Sequence, residues 1–272
     1  MDPRQAAQRG RGRGAQLPRP RPDPVAHVFR VWPRPGSDSS TLTHVPILPT
    51  TAADLDPGHR APEAFPAGVT AVVFDVVGTL VEPVPSVAEA YAAAGRRHGI
   101  DLGAAEIDSR FRSAWRRQEG IDAVATPPFT TSRGRERARW QAIVEDVFGP
   151  TAVTAAVFAD LWEHFGRPEA WKPIAAGAAL VRAAVDAGLV VALASNFDER
   201  LLAIAPVVAP LTLADHVFAS SEIGWRKPAV EFFRQVEARL GRRPHELVLV
   251  GDDPDLDVAA AGQAGWRAIR IG

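Results

Sequence analysis

From about residue 70 the apolar positions of this chain recur with a clear period; before that they do not. VTAVVFD (69–75), LVVALAS (189–195), HVFASS (216–221), LVLVG (247–251) and WRAIRI (266–271) are short apolar runs bounded by glycine, acidic or polar residues. That pattern suits strands buried on both faces of a parallel sheet. The intervening stretches carry helical spacing. Ser86 and Glu89 have the separation of a capping box and open a helix predicted over 86–98, which stops at Gly99. Further helices are predicted at 104–119, 134–148, 151–165, 177–187, near 198–206, 229–240 and 255–263.

Strands separated by single helices imply a parallel sheet with right-handed crossovers. The first strand stands apart from the rest, across a long all-helical stretch. The expected fold class is therefore α/β: a doubly wound, Rossmann-like parallel sheet formed by 68–83 and 171–272. A helical cap, 84–170, is inserted after the first strand. The aromatic residues of that cap (Phe111, Trp115, Trp140, Phe148, Phe158 and Trp162) read as packing rather than as a ligand box.

Residues 1–67 are rich in Pro, Gly and Arg and show neither period. Such a segment buries too little apolar area to offset its ordering entropy. We read it as a disordered tail in preference to a basic arm for RNA or a partner, or a transit peptide. HVFRVW (27–32) is the one part with strand character. Composition narrows the rest. There are no cysteines among the 272 residues, which excludes disulfides and thiolate chemistry. A formal net charge of −1 gives no global pull toward nucleic acid or an anionic surface. No apolar run approaches the ~18 residues of a membrane span, and no secretory signal opens the chain, so a cytoplasmic protein is expected. Lysine occurs only at Lys172 and Lys227.

In open α/β sheets, ligands bind outside the carboxyl ends of the strands. Here those ends carry Asp75, then Ser195-Asn196, then Trp225-Arg226-Lys227-Pro228, then Gly251-Asp252-Asp253 with Asp255 and Asp257 behind. Taken singly, a Ser or Asp after a strand is commonly the cap of the next helix. Together they place a carboxylate nucleophile, a hydroxyl, a lone lysine and an acidic cluster on one rim. Asp75 and Asp252 would repel unless a hard cation lay between them, and oxygen ligands suit Mg²⁺. Lys227, the Ser195 hydroxyl, Asn196 and the backbone N–H groups of the Gly78-Thr79 turn could hold the oxygens of a phosphoryl group. Asp75 could then attack phosphorus.

The segments FDVVGT, ASNFDER, GWRKP and GDDPDLD, in this order over residues 70–271, resemble the haloacid dehalogenase-like hydrolase superfamily. They are most similar to its haloacid dehalogenase-like hydrolase domain-containing proteins. The resemblance implies Asp75 as nucleophile, Ser195 and Lys227 as phosphoryl ligands, and Asp252 and Asp257 at the Mg²⁺ site. The Val77 carbonyl takes a further metal position, and Asp253 is a weaker candidate ligand. The departure is Val77 itself, where phosphatases of the family carry an Asp that protonates the leaving group and activates water.

The resemblance thus implies a Mg²⁺-dependent phosphatase of a small phosphorylated metabolite. One alternative is a non-catalytic phosphate-binding or regulatory protein on the same fold. The other is a metal-free 2-haloacid dehalogenase, whose relatives carry Tyr at the Val77 position. Carbon–phosphorus cleavage by a cap lysine is excluded, because residues 84–170 contain no lysine. Arg116, Arg133 and Arg135 are candidates for an anionic substrate, but each reads more simply as a solvated helix-face residue.

Overall fold

The computed structural model describes residues 64–272; the 27–32 segment lies outside them. Strand β1 (Ala71–Phe74) is central in a five-stranded sheet with β4 (Val190–Ser195) and β5 (His216–Ala219) on one side. On the other side lie β6 (Leu247–Gly251) and β7 (Arg267–Arg270). All pairings are parallel, with Phe74 opposite both Leu193 and Val250. The order β5-β4-β1-β6-β7 reverses direction at β1, so the crevice for a ligand opens at the end of that strand.

The two-residue period of the strands builds two cores. Val72, Phe74, Val191, Leu193, Val248 and Val250 face one way, onto Val181 and Ala184 of α5 (Ala175–Asp186) and Leu201 and Ile204 of α6 (Arg200–Ile204). Ala71, Val73, Ala192, Ala194, Leu247 and Leu249 face the other way. They meet Phe232, Phe233 and Val236 of α8 (Val230–Leu240) and Ala260 and Ala261 of α9 (Ala260–Gln263). Burial on both faces explains why these strands read as continuous apolar runs.

Four helices form the insert: α1 (Val87–Arg97), α2 (Ala104–Val124), α3 (Arg133–Phe148) and α4 (Ala152–His164). They close a separate core around Ile107, Phe111, Ile143, Val147 and Val157. The capping box is present: Glu89 N–H donates to the Ser86 hydroxyl, and Ser86 N–H donates to Glu89. Ser132 and Thr151 cap α3 and α4 through their hydroxyls alone, accepting from the N–H groups of Arg135 and Thr154.

Three features differ from expectation. A two-stranded antiparallel ribbon, β2 (Val81–Pro83) with β3 (Trp171–Pro173), closes the base of the insert. Its strands are three residues long and each ends in Pro, so no alternation could announce them. The apolar run at 216–221 turns helical after Ala219, as α7 (Ser220–Ile223). The helix expected at 255–263 begins instead as a π-helical stretch, Pro254–Ala259, before α9.

Candidate active site

Asp75 follows β1 and is buried; its N–H donates to Val250 O at 2.9 Å, which locks the backbone to β6. The chain then turns through Gly78, whose φ of 87° is the left-handed region that glycine enters without strain. Within this turn Gly78 N–H donates to Val81 O, while the Leu80 and Val81 N–H groups converge on Val76 O. The Gly78 amide is thus engaged in the turn, whereas those of Val76 and Val77, beside Asp75, meet no acceptor among the described residues. Thr79 is fully buried and donates its hydroxyl to Asp252 Oδ1 at 3.0 Å. Neither Gly78 nor Thr79 lines the cavity at this rim: one shapes the turn and the other orients a carboxylate.

Lys227 lies at the centre. Its Nζ is 2.7 Å from Asp75 Oδ1 and 2.6 Å from Asp257 Oδ1. Burial works against the ammonium, but the charges of Asp257 and Asp75 prevail and hold its pKa above the ordinary lysine value. The Asn196 carboxamide fixes the lysine's backbone from both sides: Lys227 N–H donates to Oδ1 at 2.8 Å, and Nδ2 donates to Lys227 O at 2.9 Å. Ser195, the last residue of β4, is buried and lines the cavity next to Asn196.

The acidic cluster depends on β6 and the π-helical stretch. Asp253 accepts from the N–H groups of Asp255 and Leu256, both at 2.8 Å, and so caps that stretch. This occupies its carboxylate and turns Asp257 back over the end of β6. A Cβ on Gly251 would lie 2.3 Å from Asp257 Oδ2, so only glycine permits this approach. Carboxylate oxygens of Asp75, Asp252 and Asp257 lie within 4.8 Å of one another. Burial first, and then the charges of Asp75 and Asp257, push Asp252 up to about 7; burial also raises Asp257, against the pull of Lys227. Were all three carboxylates ionised they would exceed the one ammonium by two negative charges in a buried site, and the upward shifts of Asp252 and Asp257 reflect burial together with that excess. That surplus and its all-oxygen donor set fit a hard divalent cation such as Mg²⁺.

Val77 lines the cavity with an apolar side chain, and its carbonyl accepts no hydrogen bond among the described residues. Nothing nearby replaces the missing acid/base. Asp198 also lines the cavity but is held by Arg200 through Nε at 2.7 Å and Nη2 at 2.6 Å. The insert contributes no carboxylate or histidine to the lining; its Tyr91 hydroxyl is held protonated by burial, its pKa well above the ordinary tyrosine value.

The arginines singled out in the sequence stand elsewhere. Arg133 forms a two-pronged pair with Glu222, and Arg135 bonds Asp122 at 2.5 Å. Arg116 is exposed and away from the cavity, which Arg112 and Arg200 reach instead. Five of the six aromatic residues read as packing also line the cavity, of about 200 Å³; Phe148 does not.

A family model for haloacid dehalogenase-like hydrolases matches residues 69–265, from β1 through the acidic cluster. The chain belongs to the haloacid dehalogenase-like hydrolase family. Among its relatives, haloacid dehalogenase-like hydrolase domain-containing protein 3 of Danio rerio is 27% identical over 202 residues, covering 72% of this chain and 82% of the relative. The solved structure of a defluorinating L-2-haloacid dehalogenase superposes with a TM-score of 0.59 at 21% identity, over 75% of this chain and 81% of that one. A magnesium-bound hydrolase of the family from Bacillus subtilis gives 0.52 at 17% identity, over 75% and 88%. These likenesses show the fold.

One element of this hydrolase escaped the sequence reading. Arg226, the largest fully buried side chain, reaches Glu136 at 2.7 Å and Glu119 at 3.3 Å, and its Nε lies 3.8 Å from Asp122. Arg139 pairs with Glu119 and Asp122 in the same cluster. Beside it, Arg226 N–H donates to Phe129 O at 2.9 Å and Thr131 N–H to Gly224 O at 3.0 Å, so the loop between α2 and α3 runs along the segment that carries Lys227. The signal was present as i, i+3 charge spacing in two helices, 119–122 and 136–139. On a single helix that spacing reads as a solvated face.

Proposed function

We propose that this hydrolase is a Mg²⁺-dependent phosphatase of a small phosphorylated metabolite, working through an aspartyl-phosphate. The observation that carries the reading is the charge surplus: Asp75, Asp252 and Asp257 against Lys227 alone. A metal-free dehalogenase has no use for that surplus. Mg²⁺, held by Asp75, Asp252, Asp257 and the Val77 carbonyl, would neutralise the carboxylates and draw charge from the phosphoryl oxygens.

The residues of the chain supply the rest. Lys227 and the Ser195 hydroxyl bind phosphoryl oxygens, and the Val76 and Val77 amides, which no acceptor among the described residues engages, are available to the same group. A carboxylate oxygen of Asp75 attacks phosphorus; the new O–P bond forms as the ester P–O bond breaks. The departing alkoxide takes its proton from water, because Val77 has none to give. Water then attacks the acyl phosphate at phosphorus, releasing inorganic phosphate and the Asp75 carboxylate.

A screen of phosphate monoesters with Mg²⁺ is expected to find turnover that Asp75→Asn abolishes; turnover that survives in Asp75→Asn would overturn the mechanism. One observation favours a second reading, a phosphate-binding protein without turnover: no side chain replaces the missing acid/base. That reading requires Mg²⁺-dependent binding of a metallofluoride phosphoryl mimic with no hydrolysis of any ester. Chloride release from 2-haloacids without metal would displace both.

A further inference from the structure

The rim accounts for the phosphoryl group and leaves the body of the cavity unexplained. Each of the four insert helices sends at least one aromatic side chain into it: Tyr91, Trp115, Trp140, Phe158 and Trp162. Trp115, Trp140 and Trp162 are only half-buried, although the insert has a complete core of its own around Ile107, Ile143 and Val157. Three tryptophans are more aromatic surface than closing that core requires.

The chemistry of this wall discriminates between ligand classes. Its insert residues include no carboxylate and no carboxamide, so the hydroxyls of a sugar or polyol would find few acceptors there. A quaternary ammonium group is disfavoured too. The Arg200 guanidinium already lies 3.7 Å from the Trp162 ring centre, Arg139 lies 4.9 Å from that of Trp115, and Arg112 and Arg200 both line the cavity. Although Asp198 and Asp108 pair with Arg200 and Arg112, the Arg200 and Arg139 guanidinium groups already cover the ring faces that a ligand cation would need. A neutral planar ring, by contrast, gains from apolar contact on all sides. The Tyr91 hydroxyl adds a directional element: Tyr91 is 2% exposed and lines the cavity, yet its hydroxyl makes no hydrogen bond among the described residues. A hydroxyl that opens onto the cavity with no partner among the described residues is a donor that a ligand acceptor can engage.

We infer that the substrate is a phosphate monoester whose alcohol part carries a neutral, largely apolar aromatic ring, seated among the insert aromatics, with a hydrogen-bond acceptor at Tyr91. This rests on the rim being the phosphoryl site, and phosphonates separate the two questions because they bind without turnover. Calorimetry with Mg²⁺ compares methylphosphonate, benzylphosphonate, 4-acetylbenzylphosphonate and the phosphonate analogue of phosphocholine. Benzylphosphonate is expected to bind ~30- to 100-fold tighter than methylphosphonate, the gain from burying one ring. The choline analogue gains less than ~3-fold, by the same reckoning with the ring faces it needs already covered. Trp140→Ala lowers the benzyl-to-methyl ratio several-fold, and Tyr91→Phe lowers the acetylbenzyl-to-benzyl ratio about 3- to 10-fold, the range of one neutral hydrogen bond.

Equal affinity for methyl and benzyl phosphonates in the unmodified protein overturns the inference and leaves the phosphoryl site standing. So does a preference for the choline analogue. An acetylbenzyl-to-benzyl ratio that Tyr91→Phe does not change overturns the role given to Tyr91. Binding of none of the four removes the phosphoryl site, and the inference with it.

Discussion

Arg226→Met tests the link between the helical insert and the loop that carries Lys227. Arg226, Arg139 and Arg135 face Glu119, Asp122 and Glu136, three positive charges against three negative, and five of these six side chains are almost wholly buried. Methionine matches the aliphatic stem but strands one carboxylate charge. Glu136 loses most, because Arg226 Nη1 is its nearest cation, at 2.7 Å. Breaking a buried pair from one side costs about 3–5 kcal/mol, more than the pair contributes over an apolar replacement. For a domain of this size, at 2–4 °C per kcal/mol, the melting temperature should fall by roughly 6–20 °C.

Thermal unfolding with Glu136→Gln and the double variant completes a cycle. The double variant should be less destabilised than the sum of the singles, because it removes the stranded charge along with its partner. The pH dependence gives a second readout. Burial opposes the Glu136 carboxylate, but Arg226 and Arg139 outweigh it and hold its pKa below the ordinary glutamate value. In the native protein its contribution is therefore present above pH ~4.5 and lost as pH falls through the lowered folded value. In Arg226→Met the carboxyl titrates higher, so the deficit should shrink as the pH is lowered from 7 toward 5. A melting temperature within 2 °C of the parent, or strictly additive singles and double, would refute the reasoning.

Val77→Asp should raise Mg²⁺-dependent ester turnover by about 10²- to 10⁴-fold, the usual worth of positioned acid/base catalysis; an unchanged initial rate would mean that the rim lacks something else. Asp252, pushed up to about 7, keeps a proton in the folded state that it loses when unfolded. Metal-free protein should accordingly lose stability, by up to roughly 4 kcal/mol, as pH rises from about 4 to 7. Mg²⁺ at a fixed concentration of 100 times its pH 8 Kd should restore about 2.7 kcal/mol at pH 8 and clearly less at pH 5, read as melting shifts; equal shifts at both values would contradict this. Gly251→Ala places a methyl 2.3 Å from Asp257 Oδ2. It should cost about 1–3 kcal/mol by overpacking and weaken Mg²⁺ binding at least tenfold, whereas a parent-like titration would show that Asp257 is not a ligand.

The core strands and the polar residues at their ends were legible because both are local. A strand buried on two faces announces itself as an apolar run, and its last polar residue necessarily stands at the sheet's carboxyl rim. Asp75, Ser195 and Asp252 follow their strands by that rule, and Lys227 and Asp257 lie in the segments that leave the same rim. The family resemblance added roles, and Val77 stood out as a departure for the same local reason. The ribbon of β2 and β3 was hidden because three-residue strands ending in Pro carry no period, and the π-helical start of 254–259 because six residues are too few for its spacing to be told from that of an α-turn.

What tertiary structure alone decided is which side chains of the insert meet, and what they face. Trp140 on α3 and Tyr91 on α1 both show helical spacing, which fixes a face of one helix but not the neighbour that covers it. Four helices can close a core in several rotations, and the packing of Ile107, Ile143 and Val157 selects one. That choice turns the tryptophans toward the cavity and buries Arg226 among three carboxylates that the sequence presents as ordinary surface charge. In the α/β core, the turn after β1 sets Thr79 beneath Asp252, where its hydroxyl serves the acidic cluster and not the ligand.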